Sequence, residues 1–135
     1  MYRVTRTFRA EMAHRLNGHE GKCQNLHGHS YVIHVTAESI GLDKLGRVVD
    51  FGDLKSGIGR WIDATLDHGT MLQEGDPLLA AVSQDGSKVY VSSLPPTAEY
   101  VARLVATMAA ELHPTVHIAR VEVWETEHGM AAWEP

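Results

Sequence analysis

One cysteine in 135 residues excludes a disulfide within the chain, so no covalent cross-link helps to hold the fold. Cys23 is therefore a free thiol, and a lone thiol most often fills apolar space in a core. Long hydrophobic runs are missing as well. No stretch approaches the roughly 20 apolar residues of a membrane-spanning helix, which excludes a membrane span of that kind. Positive charge is scarce: 12 Lys and Arg stand against 17 Asp and Glu, a formal net charge of −5. Sequence-independent nucleic-acid binding draws on clustered cations, so nucleic acid is not the expected partner. The first residues, Met1 to Phe8, alternate like a strand and lack the apolar middle of a signal peptide. With the single thiol, this fits a cytoplasmic protein.

Histidine is what the chain has in quantity, nine against the one cysteine, which makes nitrogen the chief donor for any metal. Residues 1–135 have the size of one domain with a real core, and the chain is read as a single domain. The stretch Cys23-Gln24-Asn25-Leu26-His27-Gly28-His29-Ser30-Tyr31 carries the strongest signal. On an extended segment His27 and His29 point to one face, shared with Tyr31, Ile33 and Val35. Two imidazoles thus stand where a polar strand end runs into an apolar interior. Cys23, four residues upstream, is near enough to act as a thiolate base, a nucleophile or a fourth ligand.

Along the chain, Tyr2, Val4, Phe8 and Ala10 share one face of a first strand, with Arg6 the exception, and the alternation continued reaches Met12 and His14. Asn17 to Gly21 reads as a turn. A second strand is expected from about His27 to Glu38. Antiparallel pairing would set His14 opposite the His27/His29 pair. Ser39 to Gly46 reads as a turn, Arg47 to Phe51 as a short strand, and Asp53 as a helix cap. Leu54, Ile58, Trp61, Ile62 and Leu66 recur at helical spacing, although Gly57 and Gly59 each weaken a helix by roughly 1 kcal/mol. Asp67-His68 follows it; an adjacent Asp can fix an imidazole, and the blander reading is a histidine favoured by the helix C-terminus. Between 73 and 95 a short helix near Leu78 to Val82 and a strand near Lys88 to Val91 are expected. Pro96-Thr97-Ala98-Glu99 opens another helix, with Val101, Leu104, Val105, Met108 and Leu112 as its core stripe. Val116 to Thr126 is the last expected strand. Glu125 there continues the row of Val121 and Val123 and must meet a ligand or escape at the strand end. The tail from His128 carries no signal.

These elements predict an α+β fold, an antiparallel sheet with helices on one face. His14, His27 and His29 together would form a three-nitrogen zinc site with an open fourth position, the catalytic pattern. If Cys23 closed that position, the chain would be a non-catalytic zinc-binding module instead.

Ala13-His14-Arg15-Leu16, Cys23-x-x-x-His27-Gly28-His29, Val49-Asp50-Phe51 with Leu54-Lys55, Leu66-Asp67-His68, Pro96-Thr97-Ala98-Glu99 and Trp124-Glu125-Thr126 occur in this order. They resemble the 6-pyruvoyltetrahydropterin synthase family over about residues 4 to 127. The three-residue gap between Cys23 and His27 resembles its bacterial 6-carboxy-5,6,7,8-tetrahydropterin synthase branch, which serves queuosine biosynthesis. The resemblance implies the T-fold, a four-stranded antiparallel sheet with two helices, assembled as a ring-shaped homohexamer with sites between subunits. It implies Zn2+ on His14, His27 and His29, with 7,8-dihydroneopterin triphosphate as substrate. Implied products are 6-carboxytetrahydropterin, acetaldehyde and triphosphate.

The same resemblance places Glu125 against the pterin ring, with Thr97 and Glu99 as the other pocket residues. Cys23 becomes the thiolate that removes a proton, and Asp67 with His68 a second acid/base pair. The chain departs from the pattern between Leu72 and Pro96, where it is longer and is expected near the pocket entrance, and at Glu127-His128-Gly129-Met130, where a changed pocket floor is expected. A 6-pyruvoyl product is the competing reading within the family. Arg15, Lys22, Lys55 and Arg60 are candidates for triphosphate contact, although each reads equally as a solvated surface charge.

Overall fold

The computed structural model describes residues 1–135. Its backbone is organised by one long hairpin. Strands β1 (Tyr2–His14) and β2 (His27–Ser39) pair antiparallel through thirteen registered positions, from Tyr2 opposite Ser39 to His14 opposite His27. The expected alternation runs to the end of β1. Inward-facing Ala10, Met12 and His14 are buried, as are Tyr31, Ile33, Val35 and Ala37 of β2. The other face is polar and tied across the strands by Arg3 to Glu38, Thr5 to Thr36, and Ser30 to Glu11. Such cross-strand pairs stabilise a half-solvated sheet.

Six strands form the sheet, in the order β4 (Val89–Ser92), β3 (Gly69–Gln73), β1, β2, β5 (His117–Thr126), β6 (Gly129–Trp133), which corrects the expectation of four. Nor is it wholly antiparallel: β3 runs parallel to both β1 and β4. β3 escapes pattern reading because Met71 and Leu72 are both fully buried, one on each face, so no alternation marks it. β5 turns at Glu127-His128 into β6, which fills the tail that carried no signal. The alanines at 131 and 132 give β6 little strand propensity, and pairing with β5 supplies what they lack.

A helical run through residues 51–65, α1, consists of an α-helical start Phe51–Leu54, a π turn Lys55–Gly59 and an α-helical end Arg60–Thr65. Asp50, not Asp53, caps it, accepting the Gly52 N–H at 2.7 Å. The short strand expected at 47–51 does not form, because Asp43 folds the loop onto itself by accepting the N–H groups of Leu45 and Arg47. The glycines of α1 are close approaches rather than defects. A Cβ at Gly57 would lie 2.3 Å from the His113 ring, and one at Gly59 would lie 2.7 Å from the Phe8 ring. His113 uses that access: its Nε2 accepts the Ile58 N–H at 3.1 Å inside the π turn.

Helix α2 (Leu78–Asp85) buries no residue, whereas α3 (Ala98–Leu112) buries Val101, Ala102, Val105, Ala106 and Ala109. Three helices therefore accompany the sheet, where the resemblance implied two; the third is the short helix expected near Leu78 to Val82. A core of 17 buried residues joins α1 and α3 to the inner face of β1, β2, β3 and β5. No helix is long and apolar enough to cross a membrane.

Candidate active site

At one end of this core the apolar row gives way to nitrogen and oxygen. His14 closes β1, His27 and His29 open β2, and Glu125 follows Val121 and Val123 near the end of β5. The inward period of each strand brings them together. One donor atom from each histidine lies within 4.8 Å of the other two. The His29 ring meets the other two edge to face, the His14 and His27 rings are tilted at 59°, and the centroids lie 4.7 to 5.1 Å apart.

Hydrogen bonds assign the tautomers. Nδ1–H of His14 donates to the Pro96 carbonyl at 2.7 Å, and Nδ1–H of His27 donates to the Asn25 carbonyl at 2.7 Å. Each ring therefore turns a lone pair on Nε2 inward, and the two Nε2 atoms face each other at 3.1 Å. Two lone pairs at that distance repel unless a cation lies between them. A tetrahedral zinc with bonds of about 2.0 to 2.1 Å would hold its nitrogens about 3.3 Å apart, so the donor set fits the ion. Backbone carbonyls behind the rings are the outer support such ligands use. Burial of His14 lowers its pKa, only partly offset by the Pro96 carbonyl and Glu125, and so favours the neutral ring that binds metal.

The side of this cluster away from the core is open. His14, His27, His29 and Glu125 share a cavity of about 410 Å³ with Cys23, Thr97, Glu99 and Met130, within the size range of small-molecule sites. Cys23, on a single 3-10 turn (Lys22–Gln24), lines the cavity but does not join the nitrogen cluster. Glu125 stands 3.8 Å from His14 Nε2 and 3.9 Å from His29 Nε2. Thr97 is the N-cap of α3 and accepts the Tyr100 N–H at 3.2 Å, while Glu99 follows in the first turn. Gly129 and Met130 line the cavity, as expected of the departure there.

Asp67 and His68 are paired but lie elsewhere. Asp67 Oδ2 accepts from His68 Nδ1 at 2.8 Å, and Oδ1 accepts the Glu11 N–H at 2.8 Å. Neither residue lines the cavity of its own chain. The 73–95 segment is also absent from the lining; it builds α2 and β4 at the far edge of the sheet, not an entrance to the cavity. Arg15 is committed to Asp76, which accepts from its Nε and Nη2. Lys22, Lys55 and Arg60 are exposed, and no Lys or Arg lines the cavity.

Tyr31 is the site residue whose part the motifs did not single out. It is 1% exposed, packs edge to face against His14 and His29, and its hydroxyl lies 3.2 Å from His14 Nδ1. Burial, with Glu125 nearby, pushes its phenol far above the usual range, so the hydroxyl stays neutral; it can donate toward Glu125 but not to His14 Nδ1, whose proton goes to the Pro96 carbonyl. Its place on the face of His27 and His29, two residues on, was the available signal.

Residues 3–135 match the sequence profile of a family described as 6-pyruvoyl tetrahydropterin synthase. Over 104 residues the chain is 41% identical to the 6-carboxy-5,6,7,8-tetrahydropterin synthase of Rickettsia bellii, covering 76% of this chain and 75% of that one. It is 34% identical to the enzyme of the same name from Haemophilus influenzae over 134 residues, covering 93% and 94%. Among solved structures, an uncharacterised protein of Wolinella succinogenes superposes with a TM-score of 0.85 at 22% identity, covering 98% of this chain and 97% of that one. The Caenorhabditis elegans 6-pyruvoyl tetrahydropterin synthase superposes with a TM-score of 0.75 at 23% identity, covering 99% and 95%. By profile, identity and coverage together, the chain belongs to the 6-pyruvoyl tetrahydropterin synthase family.

Proposed function

We propose that this chain is a zinc-dependent 6-carboxy-5,6,7,8-tetrahydropterin synthase of queuosine biosynthesis, converting 7,8-dihydroneopterin triphosphate into 6-carboxytetrahydropterin, acetaldehyde and triphosphate. The observation that carries this reading is the arrangement of one cavity: two inward lone pairs at 3.1 Å, a third imidazole beside them, and a thiol and a carboxylate on the open side. Relatives bearing that name, at 34 to 41% identity, favour it over the 6-pyruvoyl reaction.

His14, His27 and His29 would hold the ion, which when bound supplies a Lewis acid for oxygens of the substrate's side chain. Glu125 offers two acceptors to the 2-amino and N3–H edge of the pterin, a bidentate pairing suited to a half-buried carboxylate. Thr97 and Glu99 flank the ring from the start of α3. Cys23, as thiolate, takes a proton from the side chain, and the Asp67–His68 pair handles the second proton. That pair lies outside the cavity of its own chain, so the reading has a second copy deliver it, in line with a homohexamer whose sites lie between subunits. A second copy would also bring cations for the triphosphate to a cavity that has none.

Zinc-loaded protein incubated with 7,8-dihydroneopterin triphosphate should yield 6-carboxytetrahydropterin and acetaldehyde, identified by mass. A 6-pyruvoyl product without acetaldehyde would assign the competing reaction, and absence of turnover with zinc bound would favour the binding module.

A further inference from the structure

Residues 74–95 carry none of the groups assigned above, yet they are fastened to both halves of the machinery. Asp76, 5% exposed, holds Arg15, the neighbour of His14. Lys88 reaches the turn that bears Asp67 and His68. Its Nζ donates to the Asp67 carbonyl at 2.6 Å and to the Asp63 carbonyl, in the last turn of α1, at 3.2 Å. Carbonyls at a helix end lack partners within the helix, and an ammonium is well suited to them.

The bond to Asp67 matters because of the peptide it holds. The amide group between Asp67 and His68 is fixed on both sides: Lys88 takes its C=O, and its N–H donates to the Glu11 carbonyl at 2.6 Å. His68 is the one non-glycine residue with positive φ, at 59°. A side-chain-bearing residue stays in that region only where its surroundings fix it. Gly69 comes next, and a Cβ there would meet Leu66 O at 3.0 Å and Lys88 Cδ at 3.1 Å, so glycine is what lets the lysine stem lie against the turn. The backbone at Lys88 is fixed too, because its carbonyl accepts the Thr70 N–H at 3.1 Å where β3 and β4 begin to pair.

We propose that Lys88 is a positioning residue for the Asp67–His68 pair, holding the intervening peptide so that the imidazole stays on Asp67 Oδ2 and aimed outward. The proposal rests on the reading that this pair does acid/base work. Without the ammonium the peptide is held from one side only, and His68 can relax out of its left-handed conformation by rotation of that plane.

The test uses the zinc-loaded full chain with Lys88→Met, Lys88→Arg and His68→Gln, read by kcat and KM on 7,8-dihydroneopterin triphosphate and by amide hydrogen exchange at His68. Lys88→Met is expected to lower kcat about tenfold, the scale of one lost charge-assisted bond, with KM within about twofold. Lys88→Arg restores most of it, and the His68 amide exchanges faster in the methionine variant. Unchanged kcat and exchange in Lys88→Met, beside an inactive His68→Gln, would overturn the proposal alone. So would a lowered melting temperature with kcat intact, which makes the lysine merely structural. Full activity in His68→Gln would instead remove the catalytic reading of the pair, and the proposal with it.

Discussion

The Nε2 atoms of His14 and His27 face each other at 3.1 Å because each ring has committed its Nδ1–H to a backbone carbonyl. Register makes this possible: the two residues are direct cross-strand partners at the last pair of the long hairpin. Removing repulsion between two such lone pairs is itself a source of metal-linked stability.

Zinc should therefore stabilise the fold. At free metal 100 times the dissociation constant, linkage gives about 2.7 kcal/mol, which for a chain of this size raises the melting temperature by on the order of 10 °C. Differential scanning fluorimetry of metal-free protein with and without Zn2+ measures it. His27→Ala, at a half-exposed position, should abolish the shift while leaving the metal-free melting temperature nearly unchanged. A retained shift would place the ion elsewhere.

Cys23→Ala should bind zinc as the parent does, since the sulfur stands outside the nitrogen cluster. Turnover should fall by at least about 100-fold, the lower range for removal of a proton-transfer group. Metal analysis beside a rate assay separates this from the closed four-ligand site, in which zinc itself would be lost.

Glu125→Gln keeps the shape of the side chain and replaces one acceptor with a donor that meets the 2-amino or N3–H edge head on. With the side chain 30% exposed, affinity for 7,8-dihydroneopterin should weaken roughly 10- to 100-fold, and zinc content should stay the same. Titration calorimetry on the zinc-loaded protein measures the affinity, and metal analysis the zinc content. Equal affinity would release Glu125 from the role of ring anchor.

The parts of the fold that were legible in sequence are those where one face is wet and the other dry. β1, β2 and α3 announce themselves by period, and the same period with antiparallel pairing carries His14, His27 and His29 to one spot, whereas it left Glu125 open between a ligand and the strand end. β3 is buried on both faces and β6 is built from small residues, so their strand character comes from partners distant in the chain. Asp50 and Asp53 both stand ahead of the same apolar stripe, so residue type does not say which one caps α1; only backbone direction distinguishes them. Gly57 and Gly59 read as helix defects in sequence because the His113 and Phe8 rings that need their space lie far away along the chain. Pro96 acts through its carbonyl, which no residue type encodes, and the separation of Asp67 and His68 from the cavity depends on where α1 ends, not on any motif.

His113 offers a pH test independent of the metal cluster. Its Nε2 accepts the Ile58 N–H within the π turn, which the protonated ring cannot do, and burial lowers its pKa below the ordinary value near 6.5, with Asp53 opposing. In the unfolded chain the same ring titrates at its ordinary value. As pH falls below about 6.5 the unfolded state takes up a proton that the native state resists, so this residue's contribution is fully present above that pH and shrinks on acidification. Gln at this position can still accept from Ile58 but does not titrate. Metal-free parent and His113→Gln, melted at intervals between pH 5 and 8, should therefore run parallel above about 6.5, with the parent losing melting temperature more steeply below it. Parallel curves across the whole range would mean that the ring takes up its proton as readily in the folded protein as in the unfolded chain, and that the Ile58 N–H then finds another acceptor.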